Sequence, residues 1–206
     1  MAAKASGLSL FTERLVLRDF VPADWQAWHR FAQSRAFWHY LLPMHWNPTS
    51  DRSRAFVREM AKSAEEEPRR EFCLAALQSS DQRLIGGVYL GVSRIASWEA
   101  ELGYWFDPEW HGRGYATEAA RCVLAHGFTQ LRLHRVWAQA DVDNQGSWRV
   151  MEKLGMRREG RLQLSERRPD DGRNDASTSW GDAFLYAVLA QEFVAGNASR
   201  DAEARM

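Results

Sequence analysis

The chain has 206 residues, 45% of them hydrophobic, enough to fill the core of one globular domain without disulfides or metal staples. Its 27 basic and 27 acidic residues cancel, so no global charge draws it to nucleic acid or to a lipid surface. Cys73 and Cys122 lie in apolar stretches and read as small buried hydrophobes, and the six His show no zinc-ligand spacing, so no metal is expected.

The first residues, MAAKASGLSLF, lack the apolar run of a signal peptide. No segment reaches the roughly 18 apolar residues of a membrane span, and a cytoplasmic protein is expected. Leu15 to Phe20 reads as a short strand after the capping-type pair Thr12-Glu13. Pro22-Ala23-Asp24 then signals a helix start, and Trp25, Trp28, Phe31 and Ala32 recur at helical spacing. The aromatic stretch from Phe37 to Trp46 is too irregular to assign. A second helix starts near Thr49, carries Ala55, Phe56 and Met60 on its apolar stripe, and closes at Glu65 to Pro68. The period then changes to strands: Phe72 to Leu77, Leu84 to Val92 and Ala100 to Phe106, an antiparallel meander.

At Pro108 the pattern changes again. The loop Trp110-His111-Gly112-Arg113-Gly114 leads into a helix whose apolar positions, Ala119 to Leu131, keep the i, i+3, i+4 repeat for three turns. Arg135 to Asp141 reads as a strand. Asn144 to Leu154 is a short helix with Asn144 as N-cap and Gly155 as its stop. Arg161 to Leu164 is a candidate strand, 167–179 a long polar loop, and Asp182 to Leu189 the last strand. A single domain is expected over 1–195, with a disordered tail over 196–206.

The informative segment is Glu101 to Ala120, ELGYWFDPEWHGRGYATEAA. A strand, a glycine loop and a helix start in immediate succession present several backbone N–H groups, and the positive end of a helix dipole, to one point. Gly112 and Gly114 remove Cβ atoms that would obstruct close approach. Such a loop holds an anion, most naturally a phosphate. It lacks the Gly-Lys-Ser/Thr of a nucleoside-triphosphate loop. It also comes too late, after antiparallel strands, to be a dinucleotide fingerprint.

His111-Gly112-Arg113-Gly114-Tyr115-Ala116 resembles the acetyl-CoA motif of the GNAT N-acetyltransferase superfamily, Gln/Arg-x-x-Gly-x-Gly/Ala, with His in the first position. The run Gly114 to Ala119 (GYATEA) is similar to that of the RimJ/RimL branch, which acetylates ribosomal-protein N-termini. Asn144 to Ser147, Val150 to Met156, Arg158-Glu159-Gly160, and Trp180 to Asp182 with Tyr186 resemble further blocks of the family in order. The likeness runs from Leu15 to Leu189 and is weakest from Phe37 to Arg70. It implies an α+β fold: a central, twisted, mostly antiparallel sheet flanked by helices.

The resemblance also implies roles. Acetyl-CoA is the co-substrate, its pyrophosphate held by the amides of Gly112, Arg113, Gly114, Tyr115, Ala116 and Thr117, with His111 at the first position of this cofactor-binding loop. The strand ending at Trp105 and Phe106 receives the pantetheine arm and offers an oxyanion donor. Asn144 and Ser147 complete the cofactor set. Ser147 is the candidate acid for the departing thiolate, or alternatively a plain helix-cap residue, because Met151 occupies the position where many relatives carry Tyr. Glu166 and Glu101 are alternative bases. Trp38, Trp46, Trp98 and Trp180 either wall the acceptor site or fill core. The acceptor is expected to be a protein or peptide N-terminus, with a small amine or a catalytically silent acyl-CoA-binding regulator as alternatives. The chain is expected to be a monomer or homodimer.

Overall fold

The N-terminal residues open with a tight hairpin that the sequence reading did not anticipate. In the computed structural model, which describes residues 7–34, 37, 49–94, 98–167 and 180–203, strand β1 (Ser9–Phe11) pairs antiparallel with β2 (Leu15–Asp19). Thr12 does cap, but it caps this turn: its hydroxyl accepts the Leu15 N–H at 2.9 Å. A 3-10 turn (Pro22–Asp24) follows, then α1 (Trp25–Ala32), α2 (Ser50–Ser63), β3 (Glu71–Gln78), β4 (Leu84–Arg94) and β5 (Glu99–Phe106). After a second 3-10 turn (Pro108–Trp110) come α3 (Tyr115–Thr129), β6 (Arg135–Asp141), α4 (Gln145–Lys153), β7 (Arg157–Arg167), β8 (Trp180–Leu189) and α5 (Ala190–Glu203).

The eight strands form one sheet in the order β1-β2-β3-β4-β5-β6-β8-β7. Every neighbouring pair is antiparallel except β5 and β6, which are parallel. Parallel strands need a crossover, and α3 supplies it. β3 is buried on both faces, as its unbroken run FCLAAL requires. On one face Leu74, Leu90 and Leu102 pack with Val123, Leu124 and Phe128 of α3. On the other, Cys73, Ala75 and Leu77 meet Trp28, Phe31 and Val57 of α1 and α2. Trp28 is wholly buried, stacked on Phe56 at 4.2 Å between ring centroids and edge-on to Trp105 at 5.9 Å.

Two further differences from the sequence reading have physical causes. β7 extends past the expected 161–164 in both directions, because its pairing with β8 tolerates the polar residues that argued against a strand. The residues expected as a tail from 196 belong, through Glu203, to α5. That helix starts where the Glu192 carboxylate accepts the Leu189 N–H, and Phe193 anchors it at 5.2 Å from the Phe128 ring. Cys73 and Cys122 are both free thiols, and burial pushes each thiol pKa up. Among the described residues no helix is long and apolar enough to cross a membrane.

Leu90 lies fully buried on central strand β4. Leu90→Ala should lower unfolding free energy by about 2–5 kcal/mol in urea titration, from lost transfer energy plus the cavity left behind.

Candidate active site

β5 and β6 pair at Glu99↔Arg135, Ala100↔Val136 and Glu101↔Trp137, and their recorded pairing stops there. β5 continues to Phe106 along β4, while β6 continues to Asp141 along β8. A wedge-shaped slot therefore opens between 102–106 and 138–141. The Asp107 N–H donates to the Ile85 carbonyl at 2.9 Å, so strand alternation turns the Trp105 backbone toward β4 as well. The Tyr104 and Phe106 backbones face the slot. Of the two expected oxyanion donors, Phe106 has the required direction and Trp105 does not. The Trp105 side chain lies on the α1/α2 face, over Gly87.

The loop after β5 has Gly112 at φ +74° and Gly114 at φ +83°. This left-handed backbone is what calls for glycine. A Cβ on Gly112 would meet nothing within 4 Å, and one on Gly114 only the Arg14 guanidinium at 3.5 Å. Gly112 thus borders open space, and within the chain the demand for glycine at both positions is conformational. Gly114 is the N-cap of α3, so the Tyr115, Ala116 and Thr117 N–H groups are first-turn donors without intrahelical acceptors. Arg113 lays its guanidinium over the Trp110 ring at 4.8 Å. The His111 Nε2–H reaches back to the Phe106 carbonyl at 2.8 Å, fastening the loop to the strand end.

Ser147 and Asn144 sit at the start of α4, across the slot from β5. The Asn144 Oδ1 accepts the Ser147 N–H at 3.1 Å, so Asn144 is the N-cap. The Tyr104 hydroxyl donates to the Ser147 carbonyl at 2.7 Å and lies 3.0 Å from the Ser147 Oγ. Burial pushes the Tyr104 phenol pKa far above its usual range, so it stays protonated. Sequence reasoning missed Tyr104, because its partner is 43 residues away.

Glu101 and Glu166 share the opposite face of the sheet. Strand register places Glu101 opposite Trp137, and a bulge between Leu162 and Glu166 brings Glu166 opposite Gly181. Asp182 holds that bulge by accepting the Leu164 N–H at 2.9 Å and Arg161 at 2.6 Å. Glu166 accepts a hydrogen bond from Gln139 of β6 at 2.9 Å. Burial raises the Glu101 pKa. Burial, then the charges of Asp141 and Glu101, raise that of Glu166. Trp98 and Trp180 are half exposed, at 53% and 51%. Trp38, Trp46 and the loop 168–179 fall outside the described residues. Among the described residues no three His, Cys, Asp or Glu side chains could hold a metal ion.

The Acetyltransferase (GNAT) domain family model matches residues 14–157. The chain belongs to the GNAT acetyltransferase family. It is 30% identical to the N-acetyltransferase YnaD of Bacillus subtilis (strain 168), over 90% of this chain and 99% of that one. A solved GNAT-family acetyltransferase from Bacillus anthracis superposes with a TM-score of 0.72 at 29% identity, covering 90% of this chain and 100% of that one. Shorter matches, each over 63 residues or 31% of this chain and 34% of the relative, are to two proteins. One is the putative ribosomal N-acetyltransferase YdaF of B. subtilis (strain 168), at 40% identity. The other is the spermidine N(1)-acetyltransferase of Escherichia coli (strain K12), at 36%.

Acetyl-CoA is the co-substrate of this GNAT acetyltransferase. The open space at Gly112 beside the first-turn amides of α3 fits a pyrophosphate. Gly114→Val should weaken CoA binding by more than about tenfold, or 1.4 kcal/mol, in calorimetry, because a β-branched residue resists φ +83°.

Proposed function

We propose that this N-acetyltransferase acetylates the α-amine of a protein or peptide by direct attack on the thioester. One observation carries the reading: the slot has two carboxylates of raised pKa on one face and the Ser147 hydroxyl at its other wall. The amine approaches from the Glu101 and Glu166 face. Its nitrogen bonds to the thioester carbon, the carbonyl π pair moves to oxygen, and the Phe106 N–H receives that oxyanion. Glu166 or Glu101, directly or through water, takes the proton the amine loses. The C–S bond then breaks. The sulfur leaves as a thiolate that accepts a hydrogen bond from Ser147 and takes its proton from solvent, leaving an amide and CoA. The pyrophosphate rests on the amides of Gly112 to Thr117, and Asn144 fixes the Ser147 end of the slot.

For the acceptor, the runs Gly114 to Ala119 and Arg158 to Gly160 support a terminal amine, as does the similarity to YdaF. The similarity to a spermidine acetyltransferase supports a small polyamine as the second reading. A CoA-release assay over peptides with free N-termini, spermidine and aminoglycosides separates them. Peptides should give the highest kcat/KM, and preferential turnover of spermidine would replace the first reading by the second.

The proton path has its own signature. A raised carboxyl pKa means the fold favours the neutral acid, so at neutral pH the ionised form weakens the fold, and stability from this source grows as pH falls. Glu101→Gln and Glu166→Gln should therefore each raise the melting temperature at pH 7. The one that replaces the base should cut kcat by about 100-fold. Unchanged turnover in both variants would leave the amine to lose its proton to bulk water. Ser147→Ala should lower kcat more than it raises KM for acetyl-CoA.

A further inference from the structure

The Thr12-Glu13-Arg14 turn has no part in the chemistry above, yet it is bonded to the phosphate loop by a dense set of contacts. The Glu118 carboxylate, in the first turns of α3, accepts the Thr12 hydroxyl at 2.6 Å and the Arg14 backbone N–H at 2.9 Å on one oxygen. Its other oxygen takes the Arg14 Nε at 2.7 Å and lies 2.6 Å from Nη2. Burial alone would raise this carboxyl. The Thr12 hydroxyl and the Arg14 amide and guanidinium outweigh it, and its pKa lies below the usual range. So held, the guanidinium stacks on the Tyr115 ring at 4.5 Å, and its Nη1 donates to the Arg113 carbonyl at 3.1 Å.

That last bond has a directional consequence. The Arg113 carbonyl and the Gly114 N–H belong to one planar trans peptide and point in opposite directions. Holding the carbonyl toward the β1–β2 turn aims the N–H away from it. On its Gly114 side, at φ +83°, no Cβ restrains this peptide against rotation.

We propose that Arg14 is a positioning residue for acetyl-CoA: pinned by Glu118, it fixes the Arg113–Gly114 peptide so that the Gly114 N–H is preset toward the pyrophosphate. This rests on the reading that the Gly112 to Thr117 loop holds that pyrophosphate.

The test compares two thioesters, acetyl-CoA and acetyl-pantetheine, which lacks the pyrophosphate. Arg14→Met should weaken CoA binding in calorimetry by about tenfold, the scale of one preset hydrogen bond to a charged group. It should raise KM for acetyl-CoA while kcat at saturation holds, and it should leave KM for acetyl-pantetheine unmoved. Glu118→Gln, which frees the guanidinium while keeping the side chain's shape, should give the same pattern if Arg14→Met folds poorly. Equal losses for both thioesters would reduce Arg14 to a support of the general fold and overturn the proposal. Gly114→Val tells the two failures apart. If it weakens CoA while Arg14→Met and Glu118→Gln do not, only the positioning role is lost. If none of the three weakens CoA, the pyrophosphate reading falls as well.

Discussion

Backbone N–H and C=O groups in a sheet must find partners, and removing a partner where water is scarce is costly. The parting of β5 and β6 after Glu101 and Trp137 leaves two strand edges facing each other inside the sheet, where this cost has to be met by something else. The arrangement around the slot follows from it. β5 stays paired to β4, so the slot is lined by the backbones of alternate β5 residues. The chain leaves β5 through a loop tied back by His111 to the last slot-facing carbonyl. The crossover helix that makes β5 and β6 parallel starts at that loop, so its positive end stands at one end of the slot. A thioester arm bearing amides along its length suits such an edge, because it can replace the missing strand's hydrogen bonds.

Strand period then divides the chemistry between two faces. Glu101, Gly103 and Trp105 point one way, Leu102, Tyr104 and Phe106 the other. The carboxylates therefore approach from the α1/α2 side, while Tyr104 reaches Ser147 on the α3/α4 side. In the proposed reaction the carboxylates would serve the entering amine on one face, and Ser147 the departing sulfur on the other. The raised pKa values of Glu101 and Glu166 mark where the fold accepts a local loss of stability.

What could be read in the sequence, and what could not, divides along range. β2 to β5, α3, the helix start near Thr49 and the cap at Asn144 depend on period and on residues within a few positions, and these were legible. The glycine loop was legible too, and the left-handed φ at Gly112 and Gly114 adds a second demand for glycine there. Hidden were features whose partners lie far along the chain: Tyr104 with Ser147, Thr12 and Arg14 with Glu118, Gln139 with Glu166. Glu118 stood in plain view in the GYATEA run, but nothing local says that its carboxylate faces a hairpin more than 100 residues upstream. α5 was hidden for another reason. Its polar, alanine-rich composition suits a solvated helix as well as a tail, and Phe193, which precedes the expected tail, packs its first turn against Phe128.

Proton chemistry bears on the acceptor as well. An α-amine has a pKa of about 7.7–8.0 and a lysine-like alkyl amine one of about 10.4. At neutral pH the second is harder to deprotonate by roughly 2.5 units, or about 3.4 kcal/mol. A carboxylate raised by burial and by neighbouring acidic charges moves toward the α-amine's range. The attractive field of Glu101, Asp141 and Glu166 would draw either cation in, so charge alone does not discriminate. Under the proposed mechanism proton transfer would: for the same geometry, a carboxylate base takes a proton from a chain terminus with less uphill transfer than from a polyamine. A device that lowers the amine pKa, such as a cation near the slot, would offset that difference for a polyamine. The described residues place acidic groups around Glu166, and these would raise an amine pKa instead.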